Sequence, residues 1–204
     1  AAQPQRDQLV AQQRAAPPAE AGPQASPRPP APRADGSSDT AADVGVCGEE
    51  VVAGLSILLG RMTSLAVDAQ LQKPTDFHRL KPPAVSISDY IKRIRHYFHC
   101  THECYVLGMV YVDRLLKRHP DIVISALSCH RLIACGMTLA AKFHDDKFYS
   151  NEFYAKVTGI TVAELNNLER IMLKLLDWRL VVLPGEFEMY RQILCQAALA
   201  SAPA

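Results

Sequence analysis

An all-α fold follows from three features of the 204-residue sequence. Apolar residues recur at steps of three and four over seven separate stretches. Helix-starting and helix-stopping residues bracket those stretches. The period-two alternation of half-buried strands is nearly absent.

Residues 1–45 stand apart. Eight of the 14 prolines lie there, among Ala, Gln, Ser and Asp, with no apolar periodicity. This composition predicts a disordered tail, because it offers too little apolar surface to offset the entropy of ordering. "SPRPPAPR" (26–33) has polyproline II character, and Ser26-Pro27 has the form of a phosphosite, although a plain solvated linker explains both. The polar start shows no secretory pattern.

Residues 46–85 are read as an N-terminal helix and a proline-containing loop. "EEVVAGLSILLGRMTSLAVDAQL" places Val52, Leu55, Leu58, Leu59, Met62 and Leu65 on one helical face. Order is expected from about Glu49, whose charge and that of Glu50 suit a helix N-terminus. Three prolines in "QKPTDFHRLKPP" then break the pattern and predict a loop over the domain surface.

Residues 86–199 hold the remaining helices. "SISDYIKRIRHYFHC" opens with Ser86 three residues before Asp89, a capping spacing that Ser88 rivals. Its apolar stripe is Tyr90, Ile91, Ile94, Tyr97 and Phe98. "HECYVLGMVYVDRLLKRH" buries Val106, Leu107, Val110, Tyr111 and Leu115, and Pro120 follows its basic last turn. From Leu132 to Ala141 the chain is apolar on every side, so this helix is expected at the centre of the bundle. Its small residues, Ala134, Cys135, Gly136, Ala140 and Ala141, admit close neighbours. "SNEFYAKVTG" ends at Gly159. Thr161 and Glu164 form a capping box for "TVAELNNLERIMLKLLDW", with Leu165, Leu168, Met172 and Leu175 on one face. "RLVVL" reads as extended, and Pro184 starts a last helix.

Composition narrows function. Net charge is +1, which gives no whole-chain electrostatic grip on nucleic acid or membrane. Near the start, the longest apolar run is Val51–Gly60, far short of the ~18 residues of a membrane span. The cysteines at 47, 100, 104, 129, 135 and 195 make no C-x-x-C pair and read as reduced core thiols. "HCTHEC" (99–104) has the residue types of a zinc site. On one helix, however, its histidines turn away from its cysteines, and no second segment supplies a matching pair. The alternative is a junction: Cys100 closes one helix, Thr101 caps the next and Cys104 faces the core. No Gly-rich phosphate loop or G-x-S-x-G motif is present. "HDD" (144–146) reads as a helix terminus. No catalytic residue, metal or cofactor is assigned. Lys92, Arg93 and Arg95 share a helix with aromatics, a mixture nucleic acid uses, but the aromatics fit a core better.

"YVLGMVYVDRLL", "HRLIACGMTLAAKFHDDKFYSNEFYAKVTGI" and "ELNNLERIMLKLLDWRL" together resemble a cyclin box. The likeness runs from about Ser86 to Leu194. It is nearest the single-box, phosphate-system (Pho-type) cyclins, called P- or U-type in plants and also found in kinetoplastid protozoa. The resemblance implies a five-helix cyclin box, here with an added N-terminal and C-terminal helix. It implies a regulatory subunit, not an enzyme, that binds and activates a cyclin-dependent protein kinase as a heterodimer. Such a kinase regulator works inside the cell, in cytoplasm or nucleus.

Residue by residue, the resemblance implies kinase contacts at Lys142 of "A-x-K-F" and Glu169 of "NLERIML". Phe143, Leu173 and Leu180 would line the contact groove, with Trp178 a further candidate. It also implies a structural ion pair between Asp113 and Arg93, or Arg95. "SISDYIKRIRHYF" departs from the family's substrate-docking helix, so docking of R-x-L substrates is not carried over. His144 stands where relatives have an apolar residue. An alternative within the same fold is a transcription-factor-IIB-like adaptor for nucleic acid or transcription proteins. Nucleic acid is not an expected partner on the first reading, nor is membrane.

Overall fold

The computed structural model describes residues 41–66 and 74–201, with side chains from Gly48 onward. Among these residues there are seven helices and no strand: α1 (Ala41–Leu65), α2 (Ile87–Phe98), α3 (Glu103–Arg118), α4 (Cys129–His144), α5 (Asn151–Thr158), α6 (Val162–Leu175) and α7 (Pro184–Leu199). The "SPRPPAPR" stretch, Ser26 and Cys47 fall outside the described side chains.

Local chemistry sets most helix ends. Ser86, Ser150 and Thr161 each accept a hydrogen bond from the backbone N–H three residues on, at Asp89, Phe153 and Glu164. Gly159 ends α5 at φ 71°, where a Cβ would be strained. Pro184 occupies the first turn of α7, where no backbone N–H is needed. α4 stops at His144 with Asp145 as its C-cap, whose backbone N–H bonds Ala141 O.

Helix α4 is central. It packs against α2, α3, α5 and α6. Every residue from Cys129 to Ala141 is buried except Arg131. Its closest neighbour is α3. A Cβ on Gly136 would sit 3.0 Å from the Gly108 carbonyl and 3.2 Å from Val112 Cγ2. A Cβ on Gly108 would meet Met137 Sδ at 2.8 Å. The two glycines let the backbones cross where side chains would hold them apart.

The outer helices pair with each other. α1 lies along α7 and also contacts α2 and α3. Leu55 and Leu59 are fully buried, as the periodicity predicts. At the crossing, a Cβ on Gly54 would overlap the Leu194 carbonyl.

Three local expectations are corrected. α1 begins at Ala41, not near Glu49, so two turns of helix precede the two acids. Glu49 therefore does not serve the N-terminal dipole. It accepts bonds from Arg95 Nη2 at 2.7 Å and Nε at 3.2 Å, tying α1 to α2. Thr101 does not cap α3. His102 holds the N-cap position without a side-chain bond, and Thr101 Oγ1 donates instead to Asp145 Oδ1 at 2.7 Å. A charge-assisted bond from the hydroxyl hydrogen to the carboxylate holds the side chain there. The 74–86 loop is more than a surface crossing: Phe77 is buried in the core.

Candidate functional site

The last turn of α4 and the middle of α6 bring Lys142 and Glu169 together. Lys142 Nζ lies 2.5 Å from Glu169 Oε1. Asn151, at the start of α5, completes the cluster. Its Oδ1 accepts from Lys142 at 3.2 Å, and its Nδ2 donates to Glu169 Oε2 at 2.7 Å and to Asn166 Oδ1 at 2.6 Å. Glu169 thus has both oxygens engaged and a fixed orientation. Beneath the pair, burial pushes the Cys135 thiol well above its ordinary range; Glu169 adds to that shift and Lys142 opposes it.

Exposed and half-buried apolar residues follow each member of the pair along the chain. Phe143, next to Lys142, is 54% exposed. Leu173 lies one turn beyond Glu169 on α6 and is half-buried. After α6 the chain turns through two left-handed residues, Asp177 (φ 56°) and Trp178 (φ 57°). Trp178 N–H reaches back to Leu173 O at 3.0 Å and Asp177 N–H to Lys174 O at 3.0 Å, a Schellman closure with Asp in the usual glycine place. The turn presents Trp178 at 68% exposure, and Val181 follows at 69%. An indole and a valine side chain in water are costly for an isolated surface and suit a contact face.

Leu180 is corrected. It is only 8% exposed and belongs to the core, and its carbonyl accepts from the buried Tyr111 hydroxyl at 3.0 Å. Its side chain packs inward, while Trp178 and Val181 stay outside. The Arg93–Asp113 pair is also corrected. Arg93 Nη2 donates to Lys156 O at 3.2 Å, on the α5 side of α2. Asp113 accepts from Lys117 at 2.7 Å and from the Tyr190 hydroxyl of α7. The alternative donor, Arg95, is taken by Glu49. α2 and α3 are instead joined through neighbours.

Besides Arg95–Glu49, two further inter-helix ion pairs escape sequence reasoning. Arg114 of "DRLL" meets Glu186 at 2.5 Å and donates to the carbonyls of Arg179 and Val181. It thereby fixes the segment that carries Trp178 and Val181. Arg131 pairs with Glu164 across α4 and α6.

The "HCTHEC" residues separate. His102 Nε2 lies 3.6 Å from Glu49, and His99 adopts a left-handed φ of 51°. Cys100 and Cys104 do converge, and the second segment brings Asp145 rather than a His or Cys: the three ligand atoms lie within 4.8 Å of one another. Asp145 already accepts from Thr101 N at 3.1 Å and Oγ1 at 2.7 Å. The Cys104 thiol is pushed up by its hydrogen bond with Cys100 and by burial. Three ligands, one of them engaged, fall short of a closed structural zinc set.

A cyclin family profile matches residues 11–180. The chain belongs to the cyclin family. Cyclin-U1-1 of Arabidopsis thaliana is 44% identical over 114 residues, 56% of this chain and 54% of that protein. Cyclin-U4-1 of the same plant is 38% identical over 146 residues, 69% of this chain and 72% of its own length. Cyclin-P4-1 of Oryza sativa subsp. japonica is 36% identical over 152 residues, 71% and 72% of the two chains. These relatives make it a cyclin of the P/U type and do not favour the transcription-factor alternative. This cyclin spans only about half the length of Cyclin-U1-1. No helix among its described residues is long and apolar enough to cross a membrane.

Proposed function

We propose that this cyclin is a regulatory subunit that binds a cyclin-dependent protein kinase and activates it by holding the kinase C-helix in its active position. The observation that carries the reading is the Lys142–Glu169 pair, with exposed Phe143 next to Lys142 in the chain and exposed Trp178 in the turn that follows α6. A kinase is active only when its C-helix moves inward and completes its own Lys–Glu pair over ATP. A rigid surface that binds only the inward state shifts that equilibrium. Lys142 and Glu169 would hydrogen-bond the backbone of the partner segment, and Phe143, Leu173 and Trp178 would supply apolar anchors. The cyclin contributes no reacting group in this reading. The setting is intracellular, where such kinases act.

The test is co-purification of the tagged chain with a kinase from native extract, followed by phosphorylation assays. Glu169→Arg and Lys142→Ala should each weaken kinase binding by about 2–5 kcal/mol. Wild-type kinase affinity in both variants, with the helical fold retained, would remove these residues from the interface.

A further inference from the structure

The N-terminal end of α4 carries a second feature, about 16 Å along the helix from Lys142. There a cleft of about 110 Å³ is lined by Arg79, Arg93, His130, Arg131, Tyr90 and Thr158, among others. Ligand pockets for whole small molecules are several times larger. This one has room for a single small group of a larger ligand.

The cleft is built rather than incidental. Arg79 N–H donates to Leu127 O at 2.9 Å, His130 Nε2 lies 2.9 Å from Val85 O, and Arg131 Nη1 donates to His78 O. These bonds strap the 78–85 loop to the start of α4. The Tyr90 hydroxyl donates to Thr158 O at 3.3 Å and closes the far wall.

Its charge is positive and only partly compensated. Arg131 pairs with Glu164. Asp89, one turn before Arg93, pairs with Lys92. Among the described residues, Arg79 and Arg93 have no carboxylate within ion-pair distance; Arg93 donates only to the Lys156 carbonyl. Both arginines favour the ionised form of Tyr90 against the larger effect of burial, so their field reaches the cleft interior. The first turn of α4 adds its own positive end.

One lining residue also carries an unsatisfied nitrogen. His130 is 7% exposed, and its Nδ1 has no hydrogen-bond partner. Buried polar atoms are almost always paired, so this exception beside the cleft points to a polar ligand. With Nε2–H given to Val85 O, a proton taken up at Nδ1 beside a phosphoryl dianion would make His130 a further donor to it.

We propose that this cleft docks the phosphoryl group of a phosphorylated serine or threonine on a protein partner. Guanidinium groups match phosphoryl oxygens in geometry and charge. The rim residues Pro83, Val85 and Ile160 offer apolar contact to the peptide on either side, which a free ion would not use.

The test uses the full chain and no kinase, so it stands apart from the function proposed above. Fluorescence anisotropy at fixed ionic strength would compare three probes. These are a short peptide library with a central phosphoserine or phosphothreonine, the same library unphosphorylated, and inorganic phosphate as competitor. The phosphorylated library should bind alone. Arg79→Ala and Arg93→Ala should each weaken it about tenfold, and together abolish it. Lys92→Ala, a neighbouring cation outside the cleft, should leave it unchanged, with circular dichroism confirming the fold of every variant. If the double variant misfolds, Arg79→Lys serves instead; it should weaken binding by losing the bidentate fork. Equal binding of the unphosphorylated library, inorganic phosphate binding as tightly as the peptide, no binding at all, or binding indifferent to the arginine changes would each overturn the proposal.

Discussion

Lys142 on α4 and Glu169 on α6 meet at 2.5 Å across 27 residues of chain, with Asn151 bridging both. Removing one member strands the other in a largely shielded site. Lys142→Ala should lower unfolding free energy by about 1–3 kcal/mol, since Glu169 keeps only Asn151. Urea titration of the purified chain reads this directly. A loss below half a kcal/mol would mark the pair as solvent-screened.

The α1–α7 crossing should be intolerant of side chains. Gly54→Val places a Cβ where the Leu194 carbonyl sits, with two methyls added to it. Backbone cannot rotate aside as a side chain can, so the helices must separate. The expected cost is about 2–3 kcal/mol, seen as a lower denaturation midpoint. Gly60 and Gly185, whose Cβ positions meet nothing, are the controls. Gly60→Ala should be neutral or slightly stabilising through helix propensity.

Alkali should unfold the protein through its buried phenols. Burial pushes Tyr111 and Tyr154 each up to about 12, and burial pushes the Cys129 thiol to about 12. A raised pKa keeps the folded form neutral while the unfolded chain ionises from about pH 10 for tyrosine and lower for cysteine. The unfolded state then binds fewer protons, so stability is full below those values and falls as pH rises toward 12. Phenolate absorbance of these tyrosines should appear together with loss of helical circular dichroism. Smooth ionisation well before unfolding would contradict the burial.

Asp145 should matter for position rather than for metal. Its two bonds to Thr101 tie the end of α4 to the α2–α3 junction. Asp145→Ala should cost about 1–2 kcal/mol and leave stability insensitive to added zinc. A large zinc-dependent gain in the wild type, lost in Asp145→Ala, would reverse that assignment.

Much of the architecture was legible in the sequence because its signals are local. Caps at Ser86 and Thr161, the glycine stop at 159 and the proline start at 184 each depend on a few adjacent residues. The uniformly apolar Leu132–Ala141 run announces a central helix by itself. Side-chain partnerships between helices were less legible. Arg93 and Arg95 sit two residues apart on α2, and nothing local shows that one turns to α5 and the other to Glu49. Arg114 with Glu186, 72 residues away, left no pattern to read. Leu180 was assigned to the groove through family resemblance; its burial, and the bond from the Tyr111 hydroxyl 69 residues away to its carbonyl, left no local sign. Lys142 and Glu169 were found through family resemblance, since neither has a distinctive local setting.

The pairing of α1 with α7 also bears on how the molecule assembles. Arg61 bonds Ser201 across 140 residues, whereas Lys142 and Asn151 are nine apart. Loop closure over the longer span costs more chain entropy and is rewarded only after both ends are in place. The five helices α2–α6 are therefore expected to collapse first, with α1 docking onto α7 as the late event. Until that step is complete, the apolar stripe of Leu55 and Leu59 stays in water. Nascent chains of this cyclin would depend most on chaperones in that interval.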